Sequence, residues 1–195
     1  MFLKTLKKDI QYIIPVSLCC LSFFIVNIKE FLTISELSYW SSLIIKQPLR
    51  IISYSFIHLD FNHLLSNIFG IVVVRYCFLT LNLKNNYLFF FLIILLIPMQ
   101  TIFLFIMDNY IFYNKNHLLV GFSGVLFGSY TFILFSSIFG KRSILNVFIG
   151  LKKNKDIKKL MIFLLSFGII YSFLPKVSLF GHLAGVVSGL FIFLI

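Results

Sequence analysis

"LLVGFSGVLFG", Leu118 to Gly128, is an apolar stretch carrying one hydroxyl, Ser123, with Gly121 and Gly124 on either side. A serine in such a setting is either a small residue that lets helices pack or a nucleophile. Which reading holds depends on the other polar groups that reach the same depth of the same membrane.

Composition points to a membrane. Hydrophobic residues make up 60% of the 195-residue chain, charged residues 12%, and the mean hydropathy is +1.03. A water-soluble domain of this length has too little interior to bury so many apolar side chains. A hydrocarbon core of roughly 30 Å takes about 20 apolar residues per helix. Residues 10–28, 61–81, 85–107, 118–140, 160–175 and 177–195 meet that requirement to differing degrees. The expected fold is therefore an all-α membrane protein of six transmembrane helices forming one domain, 1–195. The last two spans are short and nearly joined through "FLPKVSL", which demands a tight turn at Pro175. No small-residue cleavage site follows the first apolar run, so it reads as a retained anchor. Residues 29–61 hold Lys29, Glu30, Glu36, Lys46, Arg50 and Asp60 and read as a loop. Asp60 is placed to cap the second span, and Arg75, near the far end of that span, to snorkel.

An even number of spans puts both termini on one side, and the basic residues choose the side. With the N-terminus inside, the inner segments hold Lys4, Lys7, Lys8, Arg75, Lys84, Lys141, Arg142, Lys152, Lys153, Lys155, Lys158 and Lys159. The outer segments hold Lys29, Lys46, Arg50, Lys115 and Lys176. Cytoplasmic loops carry the basic excess, so both termini are expected in the cytoplasm. The net charge of +11 is thereby explained by topology and by contact with anionic membrane lipids, and nucleic acid is not an expected partner. Cys19, Cys20 and Cys77 lie in apolar runs at spacings unlike any metal knuckle and read as packing residues.

Polar residues inside spans are costly and are functional candidates by default. Spans two, four and six all enter from outside. His63 and Asn67 follow Asp60, Ser123 follows Lys115, and His182 follows Lys176, so at 1.5 Å per residue all four reach roughly 5–12 Å below the outer surface. His63 and Asn67, at i and i+4, share one helix face. In "GHLAGVVSG" His182 shares its face with Gly185 and Gly189, where bare backbone admits a close neighbour. Gly124 and Gly128 give the fourth span a matching surface. If the two meet, the His182 ring reaches the Ser123 hydroxyl, and Ser123 also opens its helix, where backbone N–H groups lack intrahelical partners. A neutral histidine can take the serine proton, and the Ser123 N–H, the Asn67 amide and the His63 ring can stabilise an oxyanion. No carboxylate lies near His182 in its own span, so a dyad is expected in place of a triad.

At these residues the sequence resembles the rhomboid family of intramembrane serine proteases. The pieces that match are "HLLSN" (His63 to Asn67), "GFSG" (Gly121 to Gly124) and "GHLAGVVSG", in the order and spacing of the small six-helix bacterial form. The resemblance covers about Arg50 to Gly189. It implies Ser123 as nucleophile and His182 as general base. His63, Asn67, Gly121 and the Ser123 backbone would line the oxyanion and substrate site. It also implies a structured, partly membrane-embedded first loop, and it calls for no cofactor and no metal. Three departures stand out. Arg50 matches a common Trp-Arg pair but Leu49 replaces the tryptophan. Phe127 replaces a tyrosine that often stacks on the catalytic histidine, keeping the ring and losing the hydroxyl. No soluble domain for recruiting substrates is expected beside the bundle.

Two other readings compete. One is a catalytically inactive rhomboid-like protein that binds membrane helices. The other is a metal site or transporter built on His58, His63 and His182, against which the lack of buried carboxylates counts. His58 reads as a satisfied loop histidine or a support to the site, His117 as a loop residue, and "YNKNH" as a solvated loop. The expected substrate is a transmembrane protein, either of single span or with a C-terminal sorting tail. The Phe-, Ile-, Lys- and Asn-rich composition suits the plasma membrane of an AT-rich bacterium.

Overall fold

The computed structural model describes residues 2–28, 33–114, 117–175 and 177–195, with side chains from residue 9 onward. Lys29, Glu30, Lys115 and Lys176 lie outside the described residues, as do the side chains of Lys4, Lys7 and Lys8. Helix α1 spans Phe2–Asn27. The first loop then holds two short helices, α2 (Ile34–Leu37) and α3 (Arg50–Ser53), a strand β1 (Tyr39–Trp40) and a 3₁₀ turn Tyr54–Phe56. Helix α4 (Phe61–Thr80) follows. The Asp60 carboxylate accepts the His63 N–H at 2.8 Å at its start, which is the N-cap expected from the sequence. Helix α5 (Leu88–Ile106) runs on into a π turn, Met107–Ile111. After strand β2 (Leu118–Leu119) come α6 (Ser123–Phe139), β3 (Lys141–Ile144), β4 (Val147–Leu151), α7 (Lys155–Tyr171) and α8 (Leu179–Leu194).

Residues 9–27, 61–80 and 88–111 form helices long and apolar enough to cross a membrane. Helices α6 and α8 are apolar but shorter, 17 and 16 residues, or about 24–26 Å at 1.5 Å per residue. A helix wrapped by its neighbours can be shorter than the bilayer, because protein and not lipid surrounds its ends. Helix α6 is such a helix, with twelve of its residues buried. Ile71 and Val74 of α4, Leu92 and Leu96 of α5, and Ile192 of α8 share one core cluster with Val125 and Ile133 of α6.

Four features depart from the sequence reading. Helix α6 starts at Ser123, the residue read as opening its helix, but the span drawn from residue 118 begins too early, since residues 118–122 are not helical. Leu118 and Leu119 pair antiparallel with Trp40 and Tyr39, and Gly121 adopts φ +114°, a conformation that L side chains rarely take. The basic segment after α6, read as a loop, is a β3–β4 hairpin. Its register pairs Ile144 with Val147 across Leu145 and Asn146, both at positive φ as a two-residue hairpin turn requires. The expected all-α architecture therefore gains two small antiparallel pairs. Helix α7 runs from Lys155 to Tyr171, earlier than residues 160–175, because Asn154 caps it by accepting the Asp156 and Ile157 N–H groups. Lastly, Arg75 pairs with Asp9 of α1 at 2.8 Å, so its guanidinium has a protein partner.

Candidate active site

The site is assembled where α4, α6 and α8 meet. The α6–α8 seam sets the distances. A Cβ at Gly185 would fall on the Gly124 carbonyl oxygen, and one at Gly189 on the Gly128 carbonyl oxygen. Two backbones in direct contact leave no room for side chains, so both positions need glycine. One turn before Gly185, His182 is then carried to the start of α6. Its Nε2 lies 2.9 Å from the Ser123 Oγ. The Phe127 ring, one turn into α6, stacks on the imidazole with centroids 4.1 Å apart and planes 8° from parallel. His182 is 6% exposed.

Ser123 is the first residue of α6, and among the described residues no side chain caps that helix. The N–H groups of a helix's first turn lack intrahelical acceptors, so they face the space beside the hydroxyl with partial positive charge. From α4, His63 and Asn67 converge on the turn just before Ser123. A Cβ at Gly121 would come within 2.6 Å of His63 Nε2 and 3.6 Å of Asn67 Nδ2. Asn67 is buried, and among the described residues its Nδ2 has no hydrogen-bond partner. A buried amide donor left unspent is uncommon, since nearly all such groups are satisfied, and it is available to an incoming acceptor. Ser123, His182, His63 and Asn67, expected from the sequence at one depth, are thus brought together, with Gly121 beside them.

Support comes from the first loop. His58 donates its Nδ1–H to the Phe56 carbonyl at 3.0 Å and packs edge-on against His63 at 5.0 Å. Burial, and secondarily His63, pushes His58 down to about 4, so it is neutral at ordinary pH. Arg50 is buried and does not enter the site. Its Nη1 donates to the Ser35 and Ser38 carbonyls at 2.7 Å and its Nε to Gln47 Oε1 at 2.5 Å, which pins the loop. Leu49, at the position of the missing tryptophan, is 81% exposed.

Two arrangements escaped the sequence reading. Buried Asp108, in the π turn, accepts the Tyr39 hydroxyl at 2.9 Å and lies 2.9 Å from His117 Nδ1. His117 therefore ties the segment before α6 to the end of α5 and to the first loop. The second is Ser172, the C-cap of α7, whose Oγ lies 2.5 Å from His182 Nδ1. Only its position ten residues before His182 was visible in the sequence, and that spacing has no meaning until the α7–α8 turn is known.

A comparison with curated proteins returns no match. The family model described as the Rhomboid domain matches residues 46–195, from the middle of the first loop through α8. With three quarters of its length matched, including every residue of the site above, the chain belongs to the rhomboid family of membrane proteins.

Proposed function

We propose that the chain is an intramembrane serine endopeptidase that cleaves transmembrane protein substrates with a Ser123–His182 dyad. The observation that carries this reading is the 2.9 Å contact between His182 Nε2 and Ser123 Oγ at an uncapped helix start. The Ser123 hydroxyl donates to Nε2. As its oxygen attacks a substrate carbonyl, the proton passes to the ring, which returns it to the leaving amine. The tetrahedral oxyanion takes its hydrogen bonds from the Ser123 N–H, Asn67 Nδ2 and the His63 ring. Water then hydrolyses the acyl-enzyme by the same path in reverse. Family membership supports a substrate that lies in the membrane. The basic asymmetry supports cytoplasmic termini, six spans and a hydroxyl nearer the outer face. Cysteine labelling that finds residues 152–155 outside would overturn that orientation.

The chemical test uses purified protein, a fluorophosphonate probe and a transmembrane peptide substrate. Wild type takes the label and cleaves, whereas Ser123→Ala and His182→Ala do neither while melting as wild type does. Losses do not multiply in the double variant, because each residue is useless without the other. Cleavage by Ser123→Ala would sink the serine mechanism. A folded wild type that refuses the probe would make this a helix-binding member of the family.

A further inference from the structure

We propose that Ser172 is a positioning residue for His182: its hydroxyl oxygen holds the ring with the proton on Nδ1, leaving the Nε2 lone pair for Ser123. The inference rests on the dyad reading above.

Proton accounting carries it. The Ser172 hydroxyl has one proton and two neighbours, the Gly168 carbonyl oxygen at 2.6 Å and His182 Nδ1 at 2.5 Å. A carbonyl oxygen only accepts, so the serine proton is donated there. Toward Nδ1 the serine then offers a lone pair, and Nδ1 must carry the hydrogen. A neutral imidazole has a single N–H, which makes Nε2 the acceptor facing Ser123 Oγ. The opposite assignment would aim an Nε2–H at the serine and remove the base. Ser172 is 3% exposed, so solvent does not compete for either bond.

The Phe127 stack cannot make this choice. Parallel rings 4.1 Å apart restrain tilt, but a neutral ring stacks equally well with its proton on Nδ1 or on Nε2. Ser172 removes that degeneracy. Helix α7 sets its place at the C-cap, and Ser178 begins α8, the helix that carries His182, by accepting the Gly181 N–H. A hydroxyl does for this ring what a carboxylate does in a triad, with a dipole in place of a charge. Losing the carboxylate of a triad costs about 10⁴ in rate, and a neutral acceptor contributes less, about 10–100-fold.

The experiment measures kinact and KI for the fluorophosphonate probe on purified wild type, Ser172→Ala and Ser172→Thr, with melting temperatures, and reads the His182 tautomer by ¹⁵N NMR. Wild type shows the proton on Nδ1. Ser172→Ala lowers kinact by about 10–100-fold with KI little changed, and Ser172→Thr, which keeps the hydroxyl, recovers most of it. Wild-type kinact in Ser172→Ala overturns the proposal, as does a folded Ser172→Thr no faster than Ser172→Ala. If Ser172→Ala does not fold, a wild-type ring protonated on Nε2 overturns it and one protonated on Nδ1 upholds it. Label on Ser123→Ala would instead defeat the dyad reading, and the tautomer is read on wild type whether or not it cleaves.

Discussion

Helices α6 and α7 are both seventeen residues long, and both reach His182, yet they are held in opposite ways. Helix α6 buries twelve residues and touches α8 backbone to backbone. Helix α7 buries only Ile157 and Met161, near its start, while Phe163, Phe167, Ile170 and Tyr171 point outward. Its approach to the site depends on two small residues late in the helix. Gly168 makes room for the Phe127 ring, and Ser172 reaches Nδ1. The proposed nucleophile is thus carried by the most enclosed helix, and the hydroxyl proposed to set the tautomer by one anchored chiefly at its far end. A seam of glycines holds two backbones in direct contact, whereas a lightly packed helix must deliver its one group through a short side chain at its tip.

The largest expected effect comes from breaking the seam. Gly185→Val places branched carbons on the Gly124 carbonyl, where only backbone movement can relieve the clash. We expect a loss of about 3 kcal/mol or more, and little folded protein recovered in detergent. A variant melting as wild type does would mean that α6 and α8 are not locked together.

Next in size are the donors on α4, which test whether a third helix shares the precision of the seam. His63→Ala and Asn67→Ala should each lower turnover by about 10²–10³, roughly 3–4 kcal/mol of transition-state stabilisation, with smaller change in apparent affinity. The uncapped N–H groups of α6 can partly stand in for one lost donor, and Asn67→Ala is expected to be the milder. Reduced melting temperature with unchanged turnover per folded molecule would assign both residues to packing instead.

A third variant acts through α7. A Cβ at Gly168 would fall on the tip of the Phe127 ring, which stacks on His182. Gly168→Ala should cost about 1–2 kcal/mol and slow probe labelling several-fold by pressing that ring against the imidazole. Unchanged labelling would show that α7 yields without disturbing the stack, and that its hold on the site runs through Ser172 alone.

How much of this could be read beforehand follows the same division. Ser123, His63, Asn67 and His182 were visible because a polar side chain in an apolar run is conspicuous, and because glycines three and seven residues past His182 declare a close helix contact. Asp60 announced its helix by preceding it. Ser123 read as opening its helix, but that 118–122 fall outside the helix was not visible, since "LLVGF" is as apolar as any helix and only the positive φ of Gly121 and the pairing of β2 with β1 exclude it. The β3–β4 hairpin hid behind its charge, with an Asn in the turn as its one local sign. Ser172 and Asp108 were out of reach for a different reason. Each sits at a helix end, where serine and aspartate are ordinary, and each acquires meaning from a partner that only the folded chain brings near.

The smallest effect is the sharpest test of the contrast between the two helices, because one chemical change can be made on each. Phe132 in α6 is fully buried, while Phe167 in α7 is 58% exposed and lies in an outward stack with Phe163 at 6.0 Å and Tyr171 at 6.4 Å. Phe132→Leu removes ring atoms from a close-packed interior that refills only in part, and should cost about 1 kcal/mol or more. Phe167→Leu exchanges one apolar group for another against acyl chains or detergent. Lipid is as apolar as leucine, so the exposed part of the ring gains nothing from the fold that it would lose on substitution. Losing two ring–ring contacts on an open surface then leaves a change within about 0.5 kcal/mol. Melting temperatures of the two variants in one detergent decide the matter, with probe labelling unchanged in Phe167→Leu. A Phe167→Leu loss equal to that of Phe132→Leu would mean that the outer face of α7 is covered by another protein surface, and that the helix is as tightly held as α6.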